Sequence, residues 1–224
     1  MFAALMRKLR RRHVTVLKPF GMVGSDALLF TFGDLSAEVA DRLHYHFQGV
    51  ATAEVVRGNL LDLRCDAIVS PANSFGDMSG GIDRVIDNFH RGEAQRRLVE
   101  AIREQFLGEL PVGAALVVEL PSEHFRFVVA APTMRIPGSV QGSVNAYLSM
   151  RAALVAILRH NALHCRRIRS VAVPGLATGV GGLDPDEAAA QMRAAYDNVV
   201  GGEWRKVVHP ATAPFAYSGK GYTN

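Results

Sequence analysis

The sequence predicts an α/β fold built on a mostly parallel sheet covered by helices on both faces. Short apolar runs alternate with helical patterns along the chain, the order that βαβ units require. Two of those runs, about a hundred residues apart, lead directly into glycine-rich loops and then into helix starts. With 224 residues, 49% apolar and 21% charged, the chain suits one domain with a sizeable core.

The first expected strand is Ala27–Phe32, ending at Gly33-Asp34. Ser36 then stands where an N-cap belongs, with Val39, Leu43 and Phe47 spaced along one helical face. Ala53–Val56 reads as a strand stopped by Gly58-Asn59, and Ala67–Ser70 as the next. Residues 82–107 read as helix with a break near Arg91-Gly92. Gly113–Leu120 and Phe125–Ala131 pair as strands around Pro121-Ser122-Glu123. Asn145–His160 is a long helix, with Leu148, Ala152, Val155 and Leu158 expected on its buried side. Ile168–Val173 is the last core strand. Asp184-Pro185-Asp186-Glu187 opens a final helix through about Asn198, its acids and proline suited to a first turn.

The net charge of +4 belongs to one end of the chain. Six of the 25 Lys and Arg lie within residues 1–18, which hold no acid, and the other 19 face 21 Asp and Glu. Residues 1–26 are therefore expected to be a basic tail, 27–210 a single domain, and 211–224 a second tail. A basic tail can touch nucleic acid, but a solvated terminus is the stronger reading. The run Arg7–Arg12 follows a very short apolar start, the reverse of a secretory signal. No apolar run approaches the roughly 20 residues that span a bilayer. Cys65 and Cys165 are too few for a disulfide framework or structural zinc, so free thiols in the cytoplasm are expected. His44, His46, His124, His160 and His164 read as surface residues, and no metal-ligand spacing is visible.

The two glycine loops carry the chemistry. The first follows Ala67–Ser70 and contains Asn73, Asp77 and Gly80-Gly81-Ile82-Asp83; the second, Pro174–Leu183, follows the last strand. A glycine loop entering a helix presents unpaired N–H groups, and the helix dipole favours an anion there. Two such loops can hold two phosphates, which makes a diphosphate-bearing small molecule the expected ligand class.

The two loops in this order, with Asp66-Ala67-Ile68-Val69 before the first, resemble the macrodomain family over roughly Val55 to Val199. The runs Ser70–Gly76 and Ala131–Arg135 look like its small stand-alone bacterial and fungal members, of the Appr-1"-p processing type. The resemblance implies a three-layer α/β/α fold with a mixed, mostly parallel central sheet, and binding of ADP-ribose. For members of the MacroD type it also implies hydrolysis of ADP-ribosyl or O-acyl-ADP-ribose bonds. The alternative is a non-catalytic module that binds ADP-ribose or another nucleotide metabolite. ADP-ribosylated proteins or metabolites become the implied partners, without membrane, metal or cofactor.

By position, the resemblance assigns Asn73 to the distal ribose and Asp83 to a water near the anomeric carbon, making both candidate catalytic residues. It assigns Gly80 and Gly81 to close backbone approach, with Ile82 among the ligand-binding residues. Thr178, Gly179, Val180, Gly181 and Gly182 would wrap the diphosphate, and Leu183 would form an apolar wall beside the ribose. Gly58-Asn59-Leu60 departs from the family's Gly-Asp-Ile or Gly-Asp-Leu, so Asn59 would meet the adenine amino group without charge assistance. Phe75, Phe127 and Tyr147 are the candidates for stacking on the base. Arg135 either pairs with a phosphate or forms a surface ion pair.

Overall fold

The computed structural model describes residues 14–18, 20, 21, 24 and 27–206; the expectations for 1–13 and 211–224 lie outside them. A seven-stranded sheet runs in the order β1-β3-β2-β7-β4-β6-β5. Its strands are β1 (Thr15–Lys18), β2 (Leu29–Asp34), β3 (Ala53–Arg57), β4 (Ala67–Ser70), β5 (Leu116–Glu119), β6 (Phe127–Ala130) and β7 (Ser170–Pro174). The five inner strands are parallel, and β1 and β5 close the two edges antiparallel.

The helices are α1 (Ala37–His46), α2 (Gly81–Phe89), α3 (Glu93–Phe106), α4 (Asn145–Leu163) and α5 (Pro185–Val199). Ser36 caps α1 by accepting from Val39 N, and Asp184 caps α5 by accepting from Asp186 N and Glu187 N. The expected break between α2 and α3 falls at Arg91 and Gly92, both with left-handed φ.

The parallel strands are buried on both faces, and their alternate residues feed two separate cores. Phe30, Phe32, Val55 and Val171 point toward α1, α4 and α5, while Val56, Ile68, Val128 and Ala172 point toward α2 and α3. Phe32 stacks on Phe47 at 3.9 Å between ring centres, and Tyr196 meets Phe30 edge-on at 5.5 Å. These layers form the expected three-layer α/β/α arrangement.

Three local expectations change. Thr15–Lys18, placed in the basic tail, is edge strand β1, with Thr15 opposite Arg57. The alternation Val14-Thr15-Val16 carried that strand, and averaging charge over residues 1–18 concealed it. Helix α4 buries Met150, Ala153, Leu154 and Ile157, while Leu158 is 43% exposed. The helix is apolar on most sides, so its period did not select one face. His124 and His160 are half-buried, their rings hydrogen-bonded to the carbonyls of Leu63 and Arg166.

Phe32→Ala is expected to cost about 3–5 kcal/mol in chemical denaturation, because it opens a cavity among packed aromatic rings. Leu158→Ala, on the solvent side of α4, is expected to stay within about 1 kcal/mol of the parent.

Candidate functional site

Pairing between β4 and β7 is limited to Ala67 with Val171 and Ile68 with Ala172. Beyond these pairs the strands part, and Pro174 has no N–H with which to extend the ladder. At the opposite end Asp66 joins the same two strands, accepting from Arg169 N, Ser170 N and Ser170 Oγ. The crevice that opens beyond the strand ends has a volume of about 730 Å³. Carboxyl ends of parallel strands are where such sheets admit ligands.

One wall is the loop from β4 to α2. Asn73 folds it: Oδ1 accepts from Phe75 N at 3.0 Å and Asp77 N at 3.4 Å, and Nδ2 donates to Asp77 O at 3.1 Å. The amide keeps one N–H for the cleft. Helix α2 starts at Gly81 with Gly80 as its N-cap and no side chain capping it. Gly81 needs the left-handed region (φ +53), and a Cβ on Gly80 or Gly81 would meet only open space.

Asp83, in the first turn of α2, lies at the back of this wall and borders the cleft. Its Oδ1 accepts from Ser70 Oγ at 2.6 Å, and Ser70 is fully buried. Burial pushes the Asp83 carboxyl up to about 6; the Ser70 bond works against this, and nearby Asp77 adds to it. A carboxyl titrating there can serve as a general base near neutrality.

The loop after β7 makes the facing wall. It is tied to itself by Gly182 N to Gly179 O and Leu183 N to Ala177 O, both 3.0 Å. Ala177 holds a left-handed φ of +64, unusual for a residue with a side chain. Val140 N donates to Gly181 O at 2.8 Å, fastening the loop from outside. Among the described residues, the N–H groups of Thr178, Gly179, Val180 and Gly181 donate to no protein acceptor. Neither do those of Gly81, Ile82 and Asp83 at the start of α2.

Eleven of the thirteen sequence-selected ligand residues border this one cleft: Asn59 and Leu60, Asn73, Gly80 through Asp83, and Thr178 through Gly181. Gly182 and Leu183 do not. Leu183 is 2% exposed and faces the core, because its N–H turns inward to close the loop on Ala177. The stacking candidates also fail. Phe127 and Tyr147 are core residues, and Phe75 lies outside the cleft beneath the Arg135 guanidinium. Arg135 is the surface ion pair, bound to Glu109 through Nε at 2.7 Å and Nη2 at 2.9 Å. Asn59 caps the short 3-10 turn Leu60–Asp62, its Oδ1 accepting from Leu61 N at 3.1 Å.

Sequence reasoning missed the segment Gly33-Asp34-Leu35-Ser36 at the carboxyl end of β2, which borders the cleft beside Asn59. The signal was present: Gly33-Asp34 follows an apolar strand as Gly58-Asn59 does. Among the described residues the cleft is lined by no aromatic side chain and no Lys, Arg or His, and by the carboxylates of Asp34, Glu38, Asp77 and Asp83. Among the described residues there is no group of three or more potential metal ligands and no helix long and apolar enough to cross a membrane.

The Macro domain family model matches residues 69–192. An uncharacterised protein of Aquifex aeolicus is 35% identical over 139 residues, 62% of this chain and 77% of its own length. One from Aeropyrum pernix is 34% identical over 168 residues, 74% of this chain and 81% of its own. Among solved structures, the macrodomain of Mycobacterium tuberculosis DarG superposes with a TM-score of 0.51 at 25% identity, over 63% of this chain and 87% of its own. The Oceanobacillus iheyensis macrodomain with ADP shares the fold, with a TM-score of 0.51 at 23% identity over 64% of this chain and 73% of its own. A strand order, a cleft and a sequence match that agree assign the chain to the Macro domain family.

Proposed function

We propose that the cleft binds ADP-ribose or a close derivative and that Asp83 supports hydrolysis of an ADP-ribosyl or O-acyl-ADP-ribose bond. One observation carries the reading: two runs of unpartnered main-chain N–H groups border the same cleft as a carboxyl whose burial keeps it near pH 6. The N–H runs are anion sites that need no cationic side chain, and α2 adds the positive end of its dipole. The Oceanobacillus iheyensis protein, alike in fold, was solved with ADP; for this chain the reading rests on its own loops.

In the proposed reaction the second loop holds the diphosphate, and Asn73 turns its remaining N–H toward the distal ribose. Ionised Asp83 takes a proton from a water whose oxygen bonds the anomeric carbon. The bond from that carbon to the departing oxygen breaks, and that oxygen takes up the proton that Asp83 gained from the water, directly or through solvent, which restores the carboxylate. Ser70 orients the carboxylate without neutralising it.

Titration of ADP-ribose into the protein is expected to give micromolar affinity, with AMP at least tenfold weaker because it lacks the second phosphate. Absence of heat with both would overturn the reading. A Cβ on Gly181 would come within 2.5 Å of Ala177 O and 2.8 Å of Val140 Cγ2, so Gly181→Ala is expected to distort the loop and lose more than tenfold in affinity.

Turnover is expected to rise with pH through about 6 as Asp83 ionises. Asp83→Asn should lose at least about a hundredfold in rate while binding ADP-ribose within a few fold. An unchanged rate would remove Asp83 from catalysis, and binding without turnover in the parent would mark a binding module.

The same burial has a stability consequence of fixed sign. A carboxyl raised from 3.8 to about 6 favours the folded state fully below pH 3.8, and that contribution fades as pH climbs through 6. Asp83→Asn is therefore expected to be more stable than the parent above pH 6, by on the order of 2–3 kcal/mol, and to lose that advantage below about pH 4. Thermal melts across pH check this.

A further inference from the structure

On the reading that the cleft holds ADP-ribose, we propose that the amino group of the nucleobase is received by the carboxylate of Asp34, at the end of β2, and not by the amide of Asn59. The two residues stand side by side on one rim. Strands β2 and β3 are parallel neighbours with Asp34 opposite Arg57, and Gly58 N donates to Asp34 O at 3.0 Å.

Their acceptors differ in availability. The single amide oxygen of Asn59 is uncharged and already accepts from Leu61 N in capping its own turn, which leaves it one lone pair, while Nδ2 faces Asp62 Oδ1 at 3.5 Å. A carboxylate has two oxygens. Oδ1 of Asp34 accepts from Ser36 N at 2.9 Å, and Oδ2 has no partner among the described residues. That second oxygen stands against the glycine that opens the diphosphate loop: a Cβ on Gly175 would come within 3.0 Å of it. No ion pair among the described residues involves Asp34.

Asp34 is half-buried and borders the cleft, so a ligand donor reaching its free oxygen would meet a charged acceptor. The phosphates cannot supply a donor and would be repelled. The reacting ribose belongs beside Asn73 and Asp83, so what remains of the ligand for the Asp34 rim is the nucleobase. Leu35, the next residue, is 74% exposed on this rim and offers the apolar surface that no aromatic ring supplies. An apolar face beside a single free acceptor oxygen fits a base with one exocyclic amine. This segment lies outside residues 69–192, so the base reader is an element that the family match does not include.

The test compares ADP-ribose with its hypoxanthine counterpart, which carries a carbonyl where adenine has the amine. The parent is expected to favour ADP-ribose by about tenfold or more, the scale of a hydrogen bond to a charged acceptor. In Asp34→Asn the amide oxygen keeps the Ser36 bond and the NH2 turns to the base, so the preference should collapse or reverse toward hypoxanthine. Asp34→Ser, which also keeps an acceptor for Ser36 N, should weaken ADP-ribose about tenfold and the hypoxanthine ligand less than threefold. Asn59→Ser, which keeps the cap oxygen, carries the rival assignment and should still favour adenine whatever its affinity. Melting curves report folding of each variant.

Retained adenine preference in both Asp34 variants, or its loss in Asn59→Ser, would overturn the proposal. Equal binding of both ligands by the parent would overturn it as well, leaving the diphosphate reading intact. Binding of neither ligand by the parent would overturn that reading, and this proposal with it.

Discussion

The short pairing of β4 with β7 is the constraint from which the site follows. Two strands held together along their whole length would close the carboxyl edge of the sheet with backbone hydrogen bonds. Here the ladder stops after Ile68 and Ala172, while Asp66 holds the opposite ends of the same strands. One end is clamped and the other opens. Both glycine loops begin where the strands separate, so each can turn its N–H groups into the gap instead of into the sheet.

The electrostatics of that gap follow from its construction. The charged side chains in its lining among the described residues are all acidic, so an anion would rely on backbone N–H groups and neutral polar side chains. Main-chain donors fixed by turns are already oriented, and their dipoles add to that of α2. The same fixed geometry buries Asp83. Because Ser70 donates a hydrogen bond to its carboxylate, the residue remains a usable acid or base and is not a permanently neutral one.

Strand β2 gives the cleft a further dependence. It lies between β3 and β7, hydrogen-bonded to both, and packs against α1 and α5 through Phe30, Phe32, Phe47 and Tyr196. Its carboxyl-end loop then forms part of the rim. A fault in the aromatic core on one face of the sheet would reach the cleft through this strand.

Much of this was legible in the sequence because it is local. Strands, caps and glycine loops are set by neighbouring residues: Ser36 and Asp184 cap the helices that they precede, and the loops at Gly80 and Gly179 border one cleft as expected. Direction and partnership were not legible. Leu183 belongs to an apolar run near the ligand loop, but only closure of the turn on Ala177 sends it into the core. Asn59 carries the expected side chain in the expected place, yet its oxygen already accepts a bond within its own turn. Asp34 became part of the cleft because β2 inserts beside β3, a pairing across the sheet that no residue near Asp34 encodes. The sequence by itself determined the strands, the caps and the glycine loops that follow them. Tertiary structure decided which atoms in them remain free, because a polar atom's availability depends on every partner that folding brings within reach.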